Sequence, residues 1–74
     1  GGSHAQRDLF FRMLVSSALK CGEFRLARAL LAERNALNPN SVWGWKRTAE
    51  ALDGLGDDEA ATGARGQAAA LLAA

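Results

Sequence analysis

FRMLVSSALKCGEFRLA, residues 11–27, returns 34 residues later as WKRTAEALDGLGDDEAA, residues 45–61. Phe11 falls on Trp45, Val15 on Ala49, Ala18 on Leu52, Gly22 on Gly56, Glu23 on Asp57 and Ala27 on Ala61. Beyond the stretch, Leu37 falls on Leu71. Aromatic meets aromatic, glycine meets glycine and acid meets acid. A fixed period of this length marks one helical hairpin that has been copied and stacked. Stacked hairpins present surface for holding another molecule and bring no catalytic site with them.

The punctuation around the repeated stretch predicts four helices. The first starts near Asp8, a candidate N-cap, and runs to about Lys20 with Phe11, Leu14, Val15 and Ala18 along one stripe. Gly22 is placed to take the left-handed cap conformation that permits a short turn. The second helix runs from about Phe24 to Leu37, with Ala27, Leu30, Leu31 and Leu37 inward. Asn38-Pro39-Asn40-Ser41 stops it, and Asn40 or Ser41 can cap the next. The third spans Val42 to Leu55 with Trp45, Ala49 and Leu52 on its inner face. Gly56 repeats the role of Gly22, and Asp57 caps a fourth helix from about Asp58 to Leu72. Short connections make neighbours antiparallel. A closed four-helix bundle is the competing architecture, but independent bundle helices need not repeat glycine, alanine and aromatic at equal offsets.

Seventy-four residues make one small domain, near the lower limit for a self-sufficient apolar core. The hydrophobic fraction of 49% is ordinary, yet many of these residues are alanine, which favours helix and buries little area. Tyrosine is absent and β-branched content is very low, so all-α is the economical class. A formal net charge of +1 argues against a nucleic-acid binder, and no apolar run approaches the roughly 20 residues that span a bilayer, so no membrane insertion is expected. Cys21 stands alone, which excludes an internal disulfide and a thiolate zinc site; it reads as a buried small hydrophobe at a helix end. Asp57-Asp58-Glu59 reads as compensation of a helix dipole rather than as a metal site. Gly1-Gly2-Ser3-His4 looks like a tag-cleavage scar, which removes the only histidine from consideration. The chain therefore reads as a domain cut from a longer protein, organised as an N-terminal extension (1–7), a first repeat (8–41) and a second, degenerate repeat (42–74). No metal and no cofactor are called for.

Phe11, Leu14, Val15, Ala18, Gly22, Phe24, Ala27, Leu31 and Pro39 in the first copy, with Trp45, Ala49, Leu52, Gly56, Ala61 and Ala68 in the second, resemble the tetratricopeptide repeat. The resemblance covers about nine tenths of the chain and implies two antiparallel helical hairpins stacked into the start of a superhelix. It implies close helix crossings at Ala27, Ala49 and Ala61 and wider gaps filled by Phe11 and Trp45. The second copy departs from the pattern at Thr48, where leucine is usual, at Arg65, where a large apolar residue would pack, and at Gly63 and Gly66 inside the last helix. Because about three repeats are usually needed for stability, help is expected from the rest of a parent protein or from self-association into a homo-oligomer.

In this family the first helices of successive repeats line a concave groove that receives peptides. Carried over, the groove residues are Leu9, Arg12, Met13, Ser16 and Leu19 from the first copy and Trp43, Lys46, Arg47 and Glu50 from the second. Arg12, Lys46 and Arg47 form a small basic cluster beside Trp43 and Met13, suited to an acidic or C-terminal carboxylate with an apolar neighbour. The asparagines with which chaperone-binding members hold a carboxylate are missing, Ser16 and Glu50 occupying comparable places. The plain alternative is a solvated helix face with Glu50 as a loose partner. Trp43 and Trp45 lie two residues apart and cannot share a stripe, so one faces in and the other is at least partly exposed.

A protein-interaction module within a larger protein is the leading expectation. Bacterial origin follows only from the richness in alanine, arginine and glycine, and a cytoplasmic setting is favoured. The second expectation is an oligomerisation or docking appendage. An enzyme is not expected, since no base, nucleophile and oxyanion donor occur together. A DNA-binding helix-turn-helix fits the hairpin but not the charge.

Overall fold

The structure is a computed structural model that describes the backbone of residues 3–74 and the side chains of residues 6–74. Four helices follow one another: α1 (Ser3–Lys20), α2 (Phe24–Leu37), α3 (Val42–Gly54) and α4 (Asp58–Ala73). The class is all-α, and the helices pack as two hairpins, α1–α2 and α3–α4, joined by the packing of α3 on α2. Among the described residues α1 makes no contact with α4, which a closed bundle would require. The result is a slab with principal extents of 39 × 33 × 16 Å.

The two hairpin turns are the same motif at a shift of 34 residues. Gly22 has φ 76° and Gly56 has φ 79°, the left-handed conformation that glycine adopts without steric cost. Glu23 N–H donates to Ala18 O (2.8 Å) and Gly22 N–H to Leu19 O (3.2 Å); Asp57 N–H donates to Leu52 O and Gly56 N–H to Asp53 O, both at 3.0 Å. This pair of bonds satisfies carbonyls that a helix end otherwise leaves open. At the starts of α3 and α4, Ser41 Oγ accepts from Gly44 N–H (3.1 Å) and Asp57 Oδ1 accepts from Ala60 N–H (3.2 Å).

The core is built mostly of alanine. One buried cluster holds Ala49, Leu52, Ala61 and Ala64 between α3 and α4, with Trp45 and Ala60 against it. The other joins Ala18, Ala27 and Ala51 from α1, α2 and α3, with Leu19 beside them. Val15 and Leu31 are the largest fully buried side chains. Small side chains at the crossings let helix axes approach closely. Gly44 and Gly54 extend this logic: a Cβ at Gly44 would collide with Asn35, and one at Gly54 with the Phe24 ring.

Several expectations need correction. Helix α1 begins at Ser3, so the serine and histidine of the supposed scar lie within it, while Gly1 and Gly2 lie outside the described residues. Asp8 is therefore no N-cap. It sits inside α1 and accepts from Arg34 of α2. Cys21 is exposed, because it falls on the C-cap of α1 rather than on its inner stripe. Leu37 is 86% exposed, the last residue of α2 having run past the helices that could cover it. Trp45 does pack on the α3–α4 cluster, as its place on the inner face of α3 predicts, but it is only half-buried, its indole Nε1 donating to Pro39 O at 2.8 Å. Helix α3 ends at Gly54 and α4 runs to Ala73, one residue from each expected end.

Candidate functional site

Helices α1 and α3 present adjacent faces, and most of the residues expected in a groove lie on them. Ser16, Leu19 and Lys20 of α1, Phe24 of α2, and Arg47, Glu50 and Asp53 of α3 border an open depression of about 440 Å³. Arg12, Met13, Ser16, Ser17 and Lys20 border a smaller one of about 290 Å³ along α1. A third, of about 410 Å³, lies between α3 and α4 against Lys46, Arg47, Glu50, Arg65 and Leu72. Arg47 and Glu50 border two of the three depressions, as do Ser16 and Lys20. Leu9 lies outside all three, 62% exposed on α1.

The three cations expected to act together are not equivalent. Arg12 pairs with Asp8 one helical turn earlier (Nε–Oδ2 3.0 Å) and lies over the Trp43 ring, 4.8 Å from its centroid. Trp43 in turn meets Phe11 edge-on at 6.2 Å and 66°. Arg34 completes the array by donating to Asp8 and covering Phe11 at 4.1 Å. Asp8 thus lies between two guanidiniums, and three helices are tied at one end of the slab. The hydrogen bond from Arg34 is the main reason that its carboxyl titrates below the ordinary 3.8. It outweighs the opposing desolvation, and the charges of Arg12 and Arg34 add to it. Trp43 is therefore not a bare anchor, since Arg12 and Phe11 occupy its ring.

Arg47 is held by Glu50 (3.0 Å), yet its Nε is buried and has no acceptor among the described residues. Lys46 is exposed and, among the described residues, forms no ion pair. Met13 is 59% exposed. The face thus combines two ammonium groups without an ion pair among the described residues, Lys46 and Lys20, one guanidinium with a buried spare donor, and a flexible thioether. Lys20, Phe24, Asp53, Arg65 and Leu72 also border it and were missed. Lys20 follows Ser16, and Asp53 follows Glu50, at helical spacing, so the α1 and α3 stripes could have been extended one turn. Arg65 and Leu72 come from α4, which the first-helix rule leaves out.

Thr48, where leucine was expected, has a clear role. Its Oγ1 donates to Gly44 O (2.7 Å) and accepts from Asn35 Nδ2 (2.9 Å), which gives a partner to the amide nitrogen of a side chain only 7% exposed at the α2–α3 junction, while Asn35 Oδ1 has no donor among the described residues. Arg65 reaches Asp53 at 2.8 Å instead of packing inward. Among the described residues no three of His, Cys, Asp and Glu gather where they could hold a metal ion, and no helix is long and apolar enough to cross a membrane. Compared with known proteins, no protein-family model and no solved structure matches this chain.

Proposed function

We propose that this chain is a protein-interaction module of tetratricopeptide type that holds an extended acidic segment, or a carboxylate terminus, across the α1–α3 face. The observation that carries the reading is Arg47, which borders two depressions and whose buried Nε has no acceptor among the described residues, with the Lys46 ammonium beside it in sequence. A carboxylate in either depression gains the charge-assisted bond that guanidinium favours. Met13 and Leu19 supply adaptable apolar contact next to it. The 34-residue repeat supports the family reading, and the paired Schellman turns give it a structural counterpart.

The test is selection of binders from a random peptide display library on the intact chain, followed by titration against the variant with Arg12, Lys46 and Arg47 all replaced by alanine. Acidic or carboxylate-terminal peptides should be enriched, and the variant should lose affinity about tenfold or more with unchanged helicity. Peptides without acidic character, bound equally by the variant, would remove this reading.

A second reading is favoured by a separate observation. Leu9, Phe10, Met13 and Leu14 leave an apolar strip of α1 exposed, which suits a docking or oligomerisation appendage.

A further inference from the structure

Helix α3 seats on α2 through a small set of contacts. Gly44 lies against Asn35, Thr48 accepts from Asn35, Gly54 lies against the Phe24 ring, and Ala51 shares a buried cluster with Ala27. The same shift of 34 residues that relates the two hairpins carries these contacts onto two faces that this chain leaves open, except at Ala61, which is already buried against α3. Moved back, the α3 members become Phe10, Leu14, Ser17 and Lys20 of α1. Moved forward, the α2 members become Ala69, Asp58 and Ala61 of α4. Phe10 is 69% exposed, and Leu14, Ser17, Lys20, Ala69 and Asp58 are exposed as well.

Three of the four translated pairs are open and chemically compensated. Gly44 on Asn35 becomes Phe10 on Ala69, so the large side chain changes sides while the pair still combines one large with one small. The Thr48–Asn35 hydrogen bond becomes Leu14 on Ala69, where both polar partners are replaced together and none is orphaned. Gly54 on Phe24 becomes Lys20 on Asp58, opposite charges that have no other ion-pair partner among the described residues. Ala51 on Ala27 becomes Ser17 toward Ala61, which is already buried against α3, so this pair adds no new contact. Arg65 takes the place of Leu31, with its guanidinium already held by Asp53.

We infer that α1 of one copy of this chain seats on α4 of a second copy, antiparallel and in the register that α3 adopts on α2, joining copies head to tail. The inference rests on the docking reading above and not on peptide binding, although Ser17, Lys20 and Ala69 also border the depressions of the candidate face. Such a joint is heterologous, so every copy keeps one free face of each kind and assembly propagates.

Sedimentation velocity of the intact chain over a range of concentrations tests it, with F10D blocking the α1 face and A69R the α4 face. Both positions are exposed, and circular dichroism confirms that the variants keep their helices. Wild type should grow past dimer as concentration rises. Each variant alone should associate about tenfold or more weakly. An equimolar mixture should form a 1:1 heterodimer, because F10D retains its α4 face and A69R its α1 face. K20D and D58K should each weaken assembly, and the chain carrying both should recover it. A dimer abolished by F10D but indifferent to A69R would overturn the head-to-tail joint and leave the docking reading standing. A monomer at every concentration would overturn the joint and self-association together.

Discussion

Glycine carries opposite meanings at different positions of this chain. Gly63 and Gly66 lie inside α4 with nothing within 4 Å of an added Cβ. Alanine at either should stabilise the fold by about 1 kcal/mol through helix propensity alone, read as a higher midpoint in thermal or urea unfolding. Gly44 and Gly54 are helical too, but there the new methyl would strike Asn35 or Phe24 at the joint between hairpins. Alanine at either should destabilise by about 1–3 kcal/mol despite the same gain in propensity. Equal effects at all four positions would contradict the packing described. Asp8 gives a second test at this scale. Its carboxyl pKa is lowered in the folded chain, so its pairing stabilises above the ordinary value of 3.8 and is lost as pH falls through the lower folded value. An NMR titration should place Asp8 below 3.8, and Arg34→Gln should move it back up.

The elements were legible where the residues themselves act as punctuation. Gly22 and Pro39 bracket α2, whose ends match the expected Phe24 and Leu37, and Gly56 with Asp57 set the turn into α4. The start of α1 was not legible. Asp8 has the chemistry of a cap, but its partner Arg34 lies 26 residues away, and no local pattern reveals a tertiary ion pair. Cys21 and Leu37 were misplaced for a related reason: hydropathy assigns them inward, while the helix ends on which they fall have nothing opposite to cover them. The candidate face was legible in outline, since α1 and α3 do border the depressions, but the division of labour among its cations was not. Trp45 belongs to this scale as well. It packs on the α3–α4 cluster and holds Pro39 O across the interhelix turn, so Trp45→Ala should cost about 3 kcal/mol by loss of contact. Cooperative chemical denaturation measures it, and a cost below about 1 kcal/mol would show that the indole is not a structural wedge.

At the scale of the molecule, a 16 Å slab with an alanine core has little buried volume in reserve. Two hairpins leave side chains uncovered at both ends of the stack, Phe10 and Leu14 on α1 and Ala69 on α4. The stacked arrangement requires the second hairpin to seat on the first through α2 and α3, with α1 and α4 kept apart. The direct measurement is a set of nuclear Overhauser contacts in the folded chain. Contacts from the Phe24 ring to the Gly54 α-protons are predicted, with those protons shifted upfield by the ring and restored in Phe24→Leu. Contacts between α1 and α4, with the Gly54 resonances unshifted, would show a closed bundle and contradict the stacked arrangement.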